Sequence, residues 1–146
     1  MPLPQPDDLT SLVLRTAFGD EAAWDAFRAE LDGTHEYCMA TYASEGRFDG
    51  VEIRALVAED AAAGADERIH YTFLADAATM TDPERPLVAV DLSDEPGRTF
   101  RVPARWFPDV SANLCLWNMD FAEFADSADA SGTFRGFGED DGASPR

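Results

Sequence analysis

Two short apolar runs, Leu12-Val13-Leu14 and Leu87-Val88-Ala89-Val90, are not broken by any polar residue. A strand with one wet face alternates apolar and polar residues, so an unbroken run of strand length needs cover on both faces. This commits the chain to a layered fold with a sheet between other elements, and residues 11–16 and 87–90 are predicted as inner strands. Residues 37–42 and 69–74 have the aromatic and β-branched content of further strands. Thr99-Phe100-Arg101-Val102 alternates, as a half-solvated strand does.

The helices between these strands carry start signals. Asp20 stands as an N-cap before Ala23, Trp24, Phe27 and Leu31, which share one helical face until Gly33. Asp49 and Glu52 have the spacing of a cap and its reciprocal carboxylate, followed by Ile53, Leu56 and Val57, in a helix that fades over residues 61–66. The spacing recurs at Asp120 and Glu123, ahead of Phe121, Phe124, Ala125 and Ala128, with Gly132 as the stop and Phe134 and Phe137 folding back onto the body.

The prolines set the connections. Asp82-Pro83 and Arg85-Pro86 make residues 76–86 a loop of turns, too short for a parallel crossover, so the third and fourth strands should be antiparallel. Pro96-Gly97 fits a type II turn that closes a hairpin of the fourth and fifth strands. Residues 103–107 are predicted as one helical turn that Pro108 stops, and Leu114-Cys115-Leu116-Trp117 as either a last strand or the end of a short helix. The expected fold is therefore α/β (α+β mixed): a single domain over residues 11–137, with a mixed β-sheet of five to six strands and three to four helices packed against it. An extended Pro-rich arm, residues 1–10, precedes it, and a polar, disordered tail, residues 138–146, follows.

Charge bounds the function. Twenty-nine acids stand against eleven arginines and no lysine among 146 residues, a formal net charge of -18. A surface this negative repels nucleic acid and anionic membranes and attracts cationic partners. A GC-rich genome, which favours Arg, Ala, Asp and Gly codons, explains arginine in place of lysine. With 45% apolar residues, ten Phe and three Trp, a core is available, so the acid does not signal disorder. The first residues lack the basic and apolar regions of a secretory signal and no apolar run approaches membrane-spanning length, which points to the cytoplasm. In that compartment Cys38 and Cys115 are expected as thiols rather than a bridge.

The segments Val88-Ala89-Val90-Asp91-Leu92, Asp94-Glu95-Pro96-Gly97-Arg98-Thr99-Phe100-Arg101-Val102, Asn118-Met119-Asp120-Phe121-Ala122-Glu123-Phe124-Ala125-Asp126 and Gly132-Thr133-Phe134-Arg135-Gly136-Phe137, with residues 12–16 and Phe18-Gly19-Asp20, resemble a family of small acidic proteins of high-GC bacteria that carry a domain of unknown function. The resemblance implies no activity, ligand or partner.

Three constellations are candidates for chemistry. Asp76 and Asp91 end predicted strands and Asp94 follows, as hard oxygen ligands for Mg²⁺ or Mn²⁺ would, although antiparallel third and fourth strands put Asp76 and Asp91 at opposite ends of the sheet. Cys38 or Cys115 with His35 or His70 lacks a motif that brings imidazole to thiol. No zinc set and no phosphate-cradling glycine loop is present. Trp106, Phe107 and Trp117, with Phe134, Arg135 and Phe137, are either core or, where exposed, an aromatic and arginine face rimmed by acid. The expected function is a non-catalytic binding or inhibitory, immunity-like module for a basic protein partner, with no cofactor. The alternative is a divalent-metal-dependent phosphoryl-transfer or hydrolytic enzyme on Asp76, Asp91 and Asp94. A carrier of a small cation or apolar ligand is the third possibility, and would need a sizeable apolar pocket.

Overall fold

The computed structural model describes residues 3–34 and 40–136. His35, Cys38, Phe137, residues 37–39 of the second predicted strand and the tail over 138–146 lie outside the described residues. The elements run β1 (Ser11–Arg15), α1 (Glu21–Asp32), β2 (Ala40–Ala43), α2 (Ile53–Ala62), β3 (Tyr71–Ala75), α3 (Ala77–Thr81), β4 (Leu87–Asp91), β5 (Thr99–Val102), α4 (Phe107–Cys115) and α5 (Phe121–Asp126). The strands form one sheet in the order β2-β1-β3-β4-β5. β1 pairs in parallel with β2 and β3, whereas β3, β4 and β5 pair antiparallel.

Register explains the two apolar runs. Val13, Phe73, Ala89 and Phe100 are successive cross-strand partners, so they form one row across a single face. That row packs under Trp24 and Phe27 of α1, Phe107 and Val110 of α4 and Phe124 of α5. Leu12, Leu14, Leu74 and Val90 point the other way, onto Leu56 of α2, Phe48 and Leu3. Each such side chain contributes roughly 1.5–3 kcal/mol when fully buried. The mixed α/β sheet, the antiparallel third and fourth strands and the hairpin at Gly97 (φ +93) follow the sequence expectation.

Several local expectations give way to other forces. The arm is not merely extended, because Leu3 is buried in the second core cluster and Gln5 donates to the carbonyls of Leu3 and Glu67. Asp49 does not cap α2: the chain first makes a 3₁₀ turn at Gly46–Phe48, and Gly50, at φ +68, donates to Thr16 O at 2.9 Å. The helix therefore starts only after Glu52, whose side chain makes no capping bond. Within the predicted loop after β3, Asp76 accepts from Thr79 N and its own N–H donates to Thr79 Oγ1, a capping box that, with Thr79 Oγ1 donating to Pro86 O, draws five residues into α3. Pro108 does not stop a helix. It occupies the first turn of α4, where its missing N–H has no partner to lose, and the helix runs on to Cys115. That leaves five strands and, with α3 and α4, five helices among the described residues. α5 forms where expected, but Asp120 makes no side-chain cap and the helix ends at Asp126, before Ala128.

Candidate functional site

α4 buries Phe107, Val110, Ser111 and Leu114 and then stops in an unusual way. Trp117 N–H donates to Leu114 O at 3.2 Å and Asn118 N–H to Asn113 O at 2.9 Å. This is the paired bond pattern of a Schellman stop, whose left-handed residue is normally glycine. Here that residue is Trp117, at φ +59, with 73% of its surface exposed. A left-handed L-residue costs roughly 1–2 kcal/mol, and an exposed indole recovers none of it by burial. Leu116 (50%) and Leu9 (65%) are the other large exposed apolar residues among those described, and Leu9 also has a positive φ of 63°.

Trp117 stands against His70, edge to face at 5.9 Å. His70 is itself left-handed, at φ +69, and the reason is visible. Asp60, fully buried on α2, accepts the N–H groups of Ile69 (2.9 Å) and His70 (3.2 Å), while His70 O receives Leu92 N–H at 3.0 Å. The ring is tethered by Nδ1 to Ser93 Oγ at 3.2 Å. Beneath it, Tyr71 OH, Ser11 Oγ and Ser111 Oγ form a chain with spacings of 2.8 and 2.7 Å, and burial pushes the Tyr71 phenol up to about 12. The hollow between Leu9, His70 and Trp117 measures about 250 Å³ and has Asp7 and Asp8 on its rim. Asp94 and Asp120 flank Trp117 on its other side. Arg68 is the basic residue here, with Nε 3.7 Å from Asp60. The result is an apolar, strained knob inside an acidic rim.

The remaining predicted site residues go elsewhere. Phe107 and Phe134, at 1% and 2% exposed, are core, against Phe73 and Phe124 respectively. Trp106 is half-buried edge-on to Phe134, and Arg135 is held by Glu84 at 2.8 and 3.0 Å and by Asp129 at 3.2 Å. The cluster is not one exposed face, because Thr133 bridges to Arg101 on the outer edge of β5 and so turns Phe134 inward. Of the aromatics predicted for a binding face, Trp117 has the required exposure.

Asp91 and Asp76 do not converge. Asp91 pairs with Tyr71 at the start of β3, whereas Asp76 follows its end. The Asp91 carboxylate is buried and accepts the N–H groups of Ser93, Asp94 and Glu95 at 3.0, 3.2 and 3.0 Å. It organises the turn that carries Asp94. Asp76 binds Arg101 through both oxygens. Burial raises its carboxyl, but Arg101 and Thr79 outweigh this and hold it below the ordinary value. Among the described residues, no three His, Cys, Asp or Glu side chains group closely enough for one metal ion. Burial pushes the Cys115 thiol up, away from the thiolate that nucleophilic chemistry needs.

Leu9 and Leu116 were not legible as site residues, and the sequence offered His70 only as an imidazole for a cysteine, not as a neighbour of Trp117. Trp117 lies at Leu114 plus three, where α4 would have carried it toward the core, and the stop after Cys115 removes it from that stripe. Among the described residues, no helix is long and apolar enough to cross a membrane. Residues 10–137 match the sequence model of a family described as a domain of unknown function, DUF6924. No curated protein matches the chain.

Proposed function

Since the chain belongs to the DUF6924 family, whose description assigns no chemistry, we propose from its own residues that the protein is a non-catalytic, cytoplasmic binding module that docks on a basic protein partner and inhibits or neutralises it, as immunity-type proteins do. The observation that carries this reading is Trp117, a large apolar side chain placed in solvent at a position where glycine would relieve strain. Exposed Trp is the side chain most enriched at binding hot spots, and an acidic rim steers a cationic surface toward it. Asp7, Asp8, Asp94 and Asp120 supply that rim. The chain's net charge of -18 disfavours nucleic acid as the partner. No cofactor enters this reading.

The test uses the wild-type chain, Trp117→Gly and the double variant Asp94→Asn, Asp120→Asn as baits on one bacterial extract. The expected result is a basic protein retained by the wild type, lost with Trp117→Gly, weakened in the double variant and eluted by salt. Identical proteins on all three baits would remove the proposal.

A further inference from the structure

A groove of about 590 Å³ opens at the opposite end of the sheet from Trp117. β1 and β3 stay paired to their carboxyl ends, where Thr16 N–H donates to Ala75 O at 3.0 Å, and open α/β sheets hold small ligands just outside such strand ends. The groove begins there, at Thr16 and Asp76, and runs over the sheet face between the start of α2 and Gly132. Leu74 and Val88 give it an apolar floor, with Ile53 on the wall. Its volume lies within the range of small-molecule sites, roughly 300–1,000 Å³.

Arg101 reaches across this floor. Its Nη1 donates to Asp76 Oδ1 at 2.9 Å and Pro86 O at 3.2 Å, and its Nη2 to Asp76 Oδ2 at 2.8 Å. These bonds use the end of the guanidinium and leave its side edge, Nε–H and the second Nη2–H, without an acceptor among the described residues. The side chain is a third exposed. Asp76 already holds it still, so a ligand that takes the free edge need not order it again. That edge matches the two oxygens of one planar carboxylate. Charge separates carboxylate from phosphate. Asp76 sits on the same guanidinium and Glu52, itself paired with Arg54 at 2.8 Å, stands on the wall, so a dianion meets twice the repulsion of a monoanion.

We infer that this groove binds a small organic monocarboxylate with a short apolar body, its carboxylate on the Nε and Nη2 edge of Arg101 and its carbon body over Leu74, Val88 and Ile53. The hydroxyl of Thr99 lies on the lining and is available to a polar substituent, whereas that of Ser131 already donates to Asp129 Oδ1 at 2.6 Å. This site is independent of the Trp117 face.

The experiment titrates the full chain, at fixed ionic strength, with butyrate, benzoate, inorganic phosphate and neutral butanol, and follows backbone amide shifts. Butyrate and benzoate are expected to give saturable shifts at residues 99–101 and 131–132. The affinity should fall about tenfold or more in Arg101→Gln, since a hydrogen bond to a charged group is worth roughly 1.5–3 kcal/mol. Thr99→Trp, at an exposed strand position that leaves the Arg101 bonds intact, should block the groove. No saturable shift with either carboxylate, phosphate binding as tightly as butyrate, or unchanged binding in Arg101→Gln overturns the inference. Should Arg101→Gln fail to fold, unchanged binding in Thr99→Trp overturns it alone.

Discussion

Trp117 holds the backbone conformation of a glycine, so its stability and its use oppose each other. Replacing it by glycine removes a left-handed Cβ and leaves the Asn118 to Asn113 bond in place. Trp117→Gly is expected to raise the urea unfolding free energy by about 1 kcal/mol while it abolishes partner retention. A destabilised Trp117→Gly would mean instead that the indole supports His70 more than it strains the helix end. Asp129 makes the opposite case, a surface carboxylate that works for the fold. Ser131 Oγ, Thr133 N, Ser131 N and Arg135 Nε all donate to it and hold its pKa at about 2, below the ordinary 3.8. A depressed carboxyl stabilises the fold above its unfolded value and loses that contribution as pH falls. The advantage of wild type over Asp129→Asn in thermal midpoint should be full above pH 3.8 and vanish toward pH 2. The sequence offered Trp117 as either core or binding face without choosing between them, and Asp129, one acid among 29, carried no signal at all.

At the scale of elements, what the sequence made legible was whatever burial alone decides. β1, β4 and β5 lie where unbroken or alternating apolar patterns placed them, and α1 is capped by Asp20 through Ala23 N at 2.9 Å, as its spacing required. What escaped was decided by tertiary bonds. Gly50 donates to Thr16, just past β1 and 34 residues earlier in the chain, and postpones α2, and Thr79 ties a proline-bounded loop into α3 by bonding Pro86 O. The stretch after α5 is the least legible. Gly132 O accepts from Arg101 N and Phe134 N donates back to Arg101 O, each at 2.7 Å, so an irregular segment closes the outer edge of β5. An uncovered edge invites pairing with other chains, and this strap removes that exposure. Its anchor is Phe134, packed on Phe100, Phe124 and Trp106. Phe134→Ala should cost roughly 3–5 kcal/mol in chemical denaturation and bring concentration-dependent association with it. A loss under about 1 kcal/mol would show that the strap is not held by this ring.

The whole molecule divides unequally about β3. On one side β3, β4 and β5 follow one another through short connections, and on the other β1 and β3 meet across sixty residues, as in the Thr72 Oγ1 bond to Leu12 O. Closing a longer loop costs about 0.6 kcal/mol per doubling of its length, so the β3 to β4 pairing has a head start of roughly 1.4 kcal/mol over the β1 to β3 pairing. Order in time follows from order in space. Val90→Ala, in the meander, should slow refolding in stopped-flow traces, whereas Val13→Ala should mainly speed unfolding; the reverse pattern would place β1 in the nucleus. Until β3 pairs with it, β1 has one edge open, and Leu12-Val13-Leu14 is the stretch buried on both faces in the native layers. The five residues that seat the strand at the centre of the native layers are thus the most adhesive part of the unfinished chain, and soluble yield should depend on how soon residues 71–75 are made.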